Sequence, residues 1–290
     1  MMDMSNPEPL EHPAAIDKGE QSTNRPVKKA IVRLPKPSTE SLITAGTLLI
    51  IFVLWYLATH YQWVPELFVP SPLSVWRAFL EIQQTGYQGH TLFEHLASSF
   101  YRIVIGLGVA FVTAVPLGLL MGVSSKIRAI FDPLIEFYRP LPPLAYYTLL
   151  VLWLGIDNQS KITLLFLAAF PPLCVSAAQA VKSIDPILIR AARTLGGNNA
   201  QVFLYVVLPG CLPSIFTGLR IAVGVTYSVL VAAEMVAATS GIGWMVLDAG
   251  KFLRSDVIFV GIIVMGITGL LLDKVVQKLE KLATPWRSCS

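Results

Sequence analysis

The sequence predicts an all-α protein that crosses a membrane six times, and three observations carry that expectation. Only 14% of the 290 residues are charged and 54% are hydrophobic, whereas soluble domains carry about 25% charged residues. The mean hydropathy is accordingly high, +0.63. Second, residues 41–65, 103–125 and 162–181 contain no Asp, Glu, Lys or Arg. Each run is long enough to cross a hydrocarbon core of roughly 30 Å at about 1.5 Å per residue. Third, the basic residues fall on alternate sides of such runs.

Taken in order, residues 1–40 come first. "NPEPLEHPAAIDKGEQSTNRPVKK" is rich in Pro and charge and has no apolar period, so it reads as a disordered tail. The apolar stretch that follows starts too late and runs too long for a secretory signal, and reads as span 1. A long loop at 61–101 comes next. Inside it, "SPLSVWRAFLEIQQ" offers Ser71 as an N-cap and Pro72 as a first helical residue. Leu73, Trp76, Phe79 and Leu80 then share a face, suited either to the outer leaflet or to the protein's own spans.

Span 2 is 103–125, where Gly118 and Gly122 form a small-xxx-small pair fit for close helix packing. Span 3 is 140–156 and span 4 is 162–181. Spans 5 and 6 are about 211–236 and 257–272, the last short enough that Lys274 must snorkel. Between spans 4 and 5 lies a loop of about 30 residues, long for a compact bundle. There Asp185 can cap, Pro186 can start a helix over Ile187–Leu195, and Gly196 can end it in a left-handed turn. Asn198 or Asn199 can cap a second helix, which Pro209 interrupts after Leu208.

Six spans put both termini and the loops between spans 2–3 and 4–5 on one side. That side holds Lys18, Arg25, Lys28, Lys29, Arg33 and Lys36 of the tail, then Lys126, Arg128 and Arg139. It also holds Lys182, Arg190, Arg193, Lys274, Lys278, Lys281 and Arg287, sixteen of the 22 basic residues in all. The positive-inside rule makes it cytoplasmic. The net charge of +4 thus reflects topology, and nucleic acid is not an expected partner.

Chemistry-bearing motifs are missing. There is no phosphate-cradling G-x-x-x-x-G-K-[ST], no H-E-x-x-H and no G-x-S-x-G. The four histidines are scattered, and Cys174, Cys211 and Cys289 have no metal spacing. No catalytic residue, metal site or bound cofactor is therefore expected, and the energy for any active transport must come from another chain. Intramembrane features suggest a pathway instead. Arg139, Pro140, Pro142 and Pro143, with Tyr146 beyond them, break the third segment into non-helical backbone, which membranes tolerate beside protein or water. Pro171–Pro172 raises the same question in span 4. Glu234 is a second pathway candidate, because intramembrane charges usually face the bundle or a cavity. Arg220, 14 residues away in the same span, lies too far along the axis to pair with it.

The loop after span 4 carries the specific signal. Ala191, Ala192, Gly196, Val206, Leu208 and Pro209 match at every spacing the E-A-A-x3-G-x9-I-x-L-P signature of ATP-binding-cassette importer permeases, with Val206 in the isoleucine place and Arg190 where Glu is usual. The chain resembles that family over roughly 41–287. "FDPLIEFYRPLPPLAYYTLLVLWLGI", "LVAAEMVAATSGIGWMV" and the closing "TPW" look like its taurine branch, beside alkanesulfonate and nitrate permeases. The resemblance implies a type I importer permease fold over 41–290, in the bacterial inner membrane. It implies a homodimer, two cassette ATPase subunits and a periplasmic or extracellular substrate-binding protein. It assigns the loop at about 182–210 to coupling, with Arg190, Ala191, Ala192, Arg193, Leu195, Gly196, Leu208 and Pro209 at the ATPase contact. A secondary transporter or channel is the rival class, and it lacks the paired broken helices or rows of buried charge that would favour it.

Overall fold

The computed structural model describes residues 39–286, and among these every regular element is a helix. The expected disordered tail lies, but for its last two positions, outside the described residues, as do Arg287–Ser290. The chain separates into two units, residues up to Leu48 and the helix bundle from Leu49 onward.

Eleven α-helices follow one another: α1 Thr39–His60, α2 Pro72–Gln84, α3 Leu92–Val123, α4 Ser125–Tyr138, α5 Pro143–Leu154 and α6 Asn158–Lys182. Then come α7 Pro186–Thr194, α8 Asn199–Val202, α9 Leu208–Ala237, α10 Ile242–Lys251 and α11 Ser255–Ala283. Five stretches are long and apolar enough to cross a membrane: α1, α3, α6, the Asn199–Ala237 stretch and α11. The expected third span is not a full one. Pro140 and Pro142 keep the chain out of helix until Pro143 opens α5, and Gly155 at φ +81° ends it after 12 residues. That is about 18 Å of helix, well short of a hydrocarbon core. Pro171–Pro172, by contrast, break nothing, since α6 runs through them.

The core is built by α3, α6 and α9, which pack on one another through small side chains. Ala110, Ala114, Ala169, Cys174, Ala177, Cys211 and Ala222 are all fully buried. Gly118 and Gly122 explain how close α3 comes to α6. A Cβ at the first would strike the Cys174 carbonyl and Ala177, and at the second Val181. Without a hydrophobic drive between helices in lipid, such backbone proximity supplies the dispersion contacts.

A second core joins α2, α10 and α11 through Val75, Ala78, Ile82, Met245, Val257 and Val260. Here α2 packs on the protein's own helices, as one of the two expectations had it. Ser71 accepts the Ser74 N–H, and Val75, Ala78 and Ile82 face the bundle. Leu73 and Trp76 remain more than half exposed, beside a partly exposed Leu80.

The junction of α8 and α9 departs from expectation. Pro209 does not interrupt the helix. Residues Phe203–Val207 widen into a π-turn in which the Leu208 N–H reaches back five residues to the Phe203 carbonyl. That extra residue makes room for a proline that would otherwise clash in a regular α-turn. Helix α8, the π-turn and α9 therefore form one continuous helical stretch.

Candidate functional site

Between α6 and α9 the chain makes a compact helical corner. Asp185 caps α7 by accepting the Ile187 N–H at 2.8 Å, and Pro186 takes the first turn, where its lacking N–H costs nothing. Gly196 has φ +84°, a left-handed turn that a side chain would strain. Asn198 then caps α8 reciprocally with Gln201, at 2.8 and 2.9 Å.

This corner has two faces. Ile189 and Ala192 pack inward onto the α3–α6–α9 core. Ile187, Leu188, Ala191 and Leu195 fall within about 100° of one another around the helix and point outward. Leu195 is 89% exposed, the most exposed large apolar side chain described. Arg190 and Arg193 are exposed beside them, Arg190 resting weakly on the Pro186 carbonyl at 3.4 Å. Ala191 and Ala192, both assigned by the resemblance to the ATPase contact, are thus divided between the two faces. Ile187 and Leu188 were not singled out by sequence reasoning, although their spacing to Ala191 and Leu195 is helical. Leu208 and Pro209 lie at the start of α9, behind the π-turn.

The charges assigned to span 5 are both paired. Glu234 is 1% exposed and accepts from Arg102 Nη1 at 2.6 Å, Ser99 Oγ at 2.7 Å and the Gly243 N–H at 3.0 Å. Arg102, also buried, donates further to the Ser240 carbonyl at 2.9 Å and to Asn158 Oδ1 at 2.8 Å. Ser99 Oγ accepts the Ile242 N–H at 3.2 Å, and His95 Nδ1 the Gly241 N–H at 3.1 Å. His95 therefore carries its proton on Nε2, toward the Tyr87 carbonyl, and is neutral. The N–H groups of Gly241, the N-cap position, and of Ile242 and Gly243, the first two residues of α10, are thus satisfied from α3 and α9, since α10 has no side-chain cap of its own. Tyr87 extends the node outward by donating to Asp248 at 3.1 Å. Burial, then the carboxylate beside it, push this hydroxyl up to about 12, so it stays a donor at neutral pH.

Glu234 is thus buried and bound to Arg102, Ser99 and Gly243 of its own chain. Arg102 escaped sequence reasoning because it falls at the seam between the loop at 61–101 and the uncharged run from 103. A signal existed: His95, Ser99 and Arg102 stand at i, i+4 and i+7, a polar stripe on one helix face. The remaining pathway candidates sit apart from Glu234. Arg139, Pro140 and Pro142 are exposed in the α4–α5 break, Pro143 is half-buried, and Tyr146 closes that break by hydrogen bonding its hydroxyl to that of Tyr138. Among the described residues no cluster of three His, Cys, Asp or Glu side chains could hold a metal ion.

Known proteins fit this architecture. Residues 114–285 match the family described as binding-protein-dependent transport system inner membrane component. The taurine transport system permease protein of Escherichia coli K12 is 45% identical over 250 residues, covering 86% of this chain and 91% of that protein. The putative aliphatic sulfonates transport permease of the same organism is 36% identical, covering 81% and 88%. Among solved structures, an inward-facing form of the MetNI methionine ABC transporter superposes with a TM-score of 0.54 at 20% identity, over 67% of this chain and 94% of that one. That likeness concerns the fold, a type I importer permease architecture. With the family pattern spanning both sides of the corner between α6 and α9, the chain belongs to the family of binding-protein-dependent transport system inner membrane components.

Proposed function

We propose that the chain is the membrane permease of an ATP-driven taurine importer. Two copies would enclose the pathway. Two cassette ATPases, holding ATP and Mg, would dock on the α7–α8 corner, and a soluble binding protein would deliver cargo to the opposite side. The α7 face carries this reading. Ile187, Leu188, Ala191 and Leu195 form an apolar patch on a rigidly capped helix, and such a patch marks a protein contact. The permease itself does no covalent chemistry, and residues 186–208 transmit ATPase closure through the continuous α8–α9 stretch. The corner and both termini are cytoplasmic. Cys289, beyond the described residues, would then resist an impermeant thiol reagent in intact cells, while Gln88→Cys would be labelled.

Taurine is favoured by the 45% identity to a taurine permease. Alkanesulfonates are the second reading, on the 36% identity to an aliphatic sulfonates permease. The test is uptake of labelled taurine by the permease reconstituted with its ATPase and binding protein. Uptake should require ATP and fall with excess unlabelled taurine, while nitrate should leave it unchanged. Nitrate uptake indifferent to taurine would reassign the cargo.

A further inference from the structure

Both charged residues of α9 are matched within the chain: Glu234 by Arg102, and Arg220 by Asp273 through bonds of 2.8 and 3.1 Å. Several neutral polar side chains of the spans gather in one place. Toward the α7 end of the bundle, α6 and α9 border a groove of about 350 Å³ lined by Ser176, Gln179, Ser183, Ser214, Thr217 and Ile221. Ser183 and Thr217 turn back to carbonyls of their own helices, at 2.8 and 3.0 Å. Ser176, Gln179 and Ser214 have no hydrogen-bond partner among the described residues.

The spacing makes this a seam. Ser176 and Gln179 on α6 and Ser183 at its C-cap follow one another at three and four residues, as do Ser214, Thr217 and Ile221 on α9, so each set shares a helix face. Farther along, the same α9 face carries Gly224 and Ser228, both exposed and uncharged. The two helices are fixed against each other beside the groove, because Gly218 lets α9 touch the Ser176 side chain. Unpaired amides and hydroxyls are costly against lipid tails, and polar residues in spans face the bundle or a water-filled cavity. The exposed faces of α1 and α11, carrying Ile50, Phe52, Ile262 and Leu270, show the contrasting lipid-compatible surface.

We propose that this groove is the low-affinity subsite through which cargo leaves the permease. A small sulfonate, zwitterionic or anionic, would be received by Ser176 Oγ, Ser214 Oγ and Gln179 Nε2. The proposal rests on the permease reading and gives it a place on the chain. Neutral donors suit the task. Three sulfonate oxygens accept from them, yet no buried cation holds the anion tightly enough to stop release.

The experiment combines accessibility with transport, in the full complex carrying Cys289→Ser. Cys174 and Cys211 are buried in the core and can remain. Cysteines introduced singly at Ser176, Gln179 and Ser214 should react with a small charged thiol reagent about tenfold faster than one at Val112, which needs a water-exposed thiolate to react. Gln179→Glu, which sets a carboxylate in the sulfonate's way, should lower taurine uptake about tenfold without weakening ATPase capture. Reaction rates equal to that at Val112 would overturn the groove, as would full uptake by Gln179→Glu, and either would leave the permease reading standing. If the unmodified complex imports no taurine or other sulfonate, the permease reading fails first and the subsite falls with it.

Discussion

Where α9 meets α10, Arg102, Glu234, His95 and Ser99 are buried and every polar group meets a partner. At the other end of α9, α7 buries none of its nine residues and shows its apolar side chains to the outside. One end encloses charge and the other exposes hydrocarbon, the reverse of what each medium would favour for an isolated helix. The difference teaches what each end is for. A satisfied buried network has one low-energy arrangement and holds α3, α6, α9 and α10 as a frame. An uncovered apolar face is unfinished without a partner.

The comparison breaks most readily at the buried end. Glu234→Ala leaves the Arg102 guanidinium buried without its counter-charge and frees the N–H of Gly243. Removing one member of a buried pair typically costs about 3–5 kcal/mol. The expected outcome is loss of folded permease in detergent, measured by thermal unfolding, with Arg102→Ala equally damaging. An unfolding midpoint unchanged in both variants would show that the node is not a frame.

Gly196→Val probes the hinge of the exposed end. No atom lies within 4 Å of where a Cβ would stand, so the cost is confined to the backbone, at about 1–3 kcal/mol for a side chain forced to positive φ. The corner should lose its shape while the spans stay packed. ATPase capture and uptake should disappear with little change in bundle stability, and Gly196→Asn, which tolerates that conformation, should keep much of both. Wild-type capture by the valine variant would separate the corner from coupling.

Leu195→Ser should have the smallest effect on folding. The side chain is 89% exposed, and such surface changes usually stay within about 0.5 kcal/mol. Its effect belongs to the complex: weaker ATPase capture at unchanged stability sharpens the contrast between the ends, and unchanged capture removes Leu195 from the contact.

Much of the exposed corner was legible in the sequence, because caps and turns are local. Asp185, Pro186, Gly196 and Asn198 each act on a backbone group no more than a few residues away, so residue type and order suffice. The buried node was legible only in part. Glu234 could be marked as an intramembrane charge, but its partner lies 132 residues earlier, and no local pattern names a partner at that separation. The length of the third span was misjudged for a related reason. Hydropathy reports which residues accept lipid, while the prolines at 140, 142 and 143 decide how many of them are helical.

By itself, then, the sequence determined the solvent, the helical class and the capped corner, since each follows from composition or from short-range geometry, and its signature resembled the family. Tertiary structure alone decided that Glu234 belongs to a closed ion pair, that Ala192 packs on the core while Ala191 stays exposed, and that Pro209 is absorbed by a π-turn. It alone gathered Ser176, Gln179 and Ser214 into one groove. Those outcomes depend on which faces of distant helices meet, and that is fixed by close packing at residues such as Gly118 and Gly218, whose role becomes visible only when the neighbouring backbone is in place.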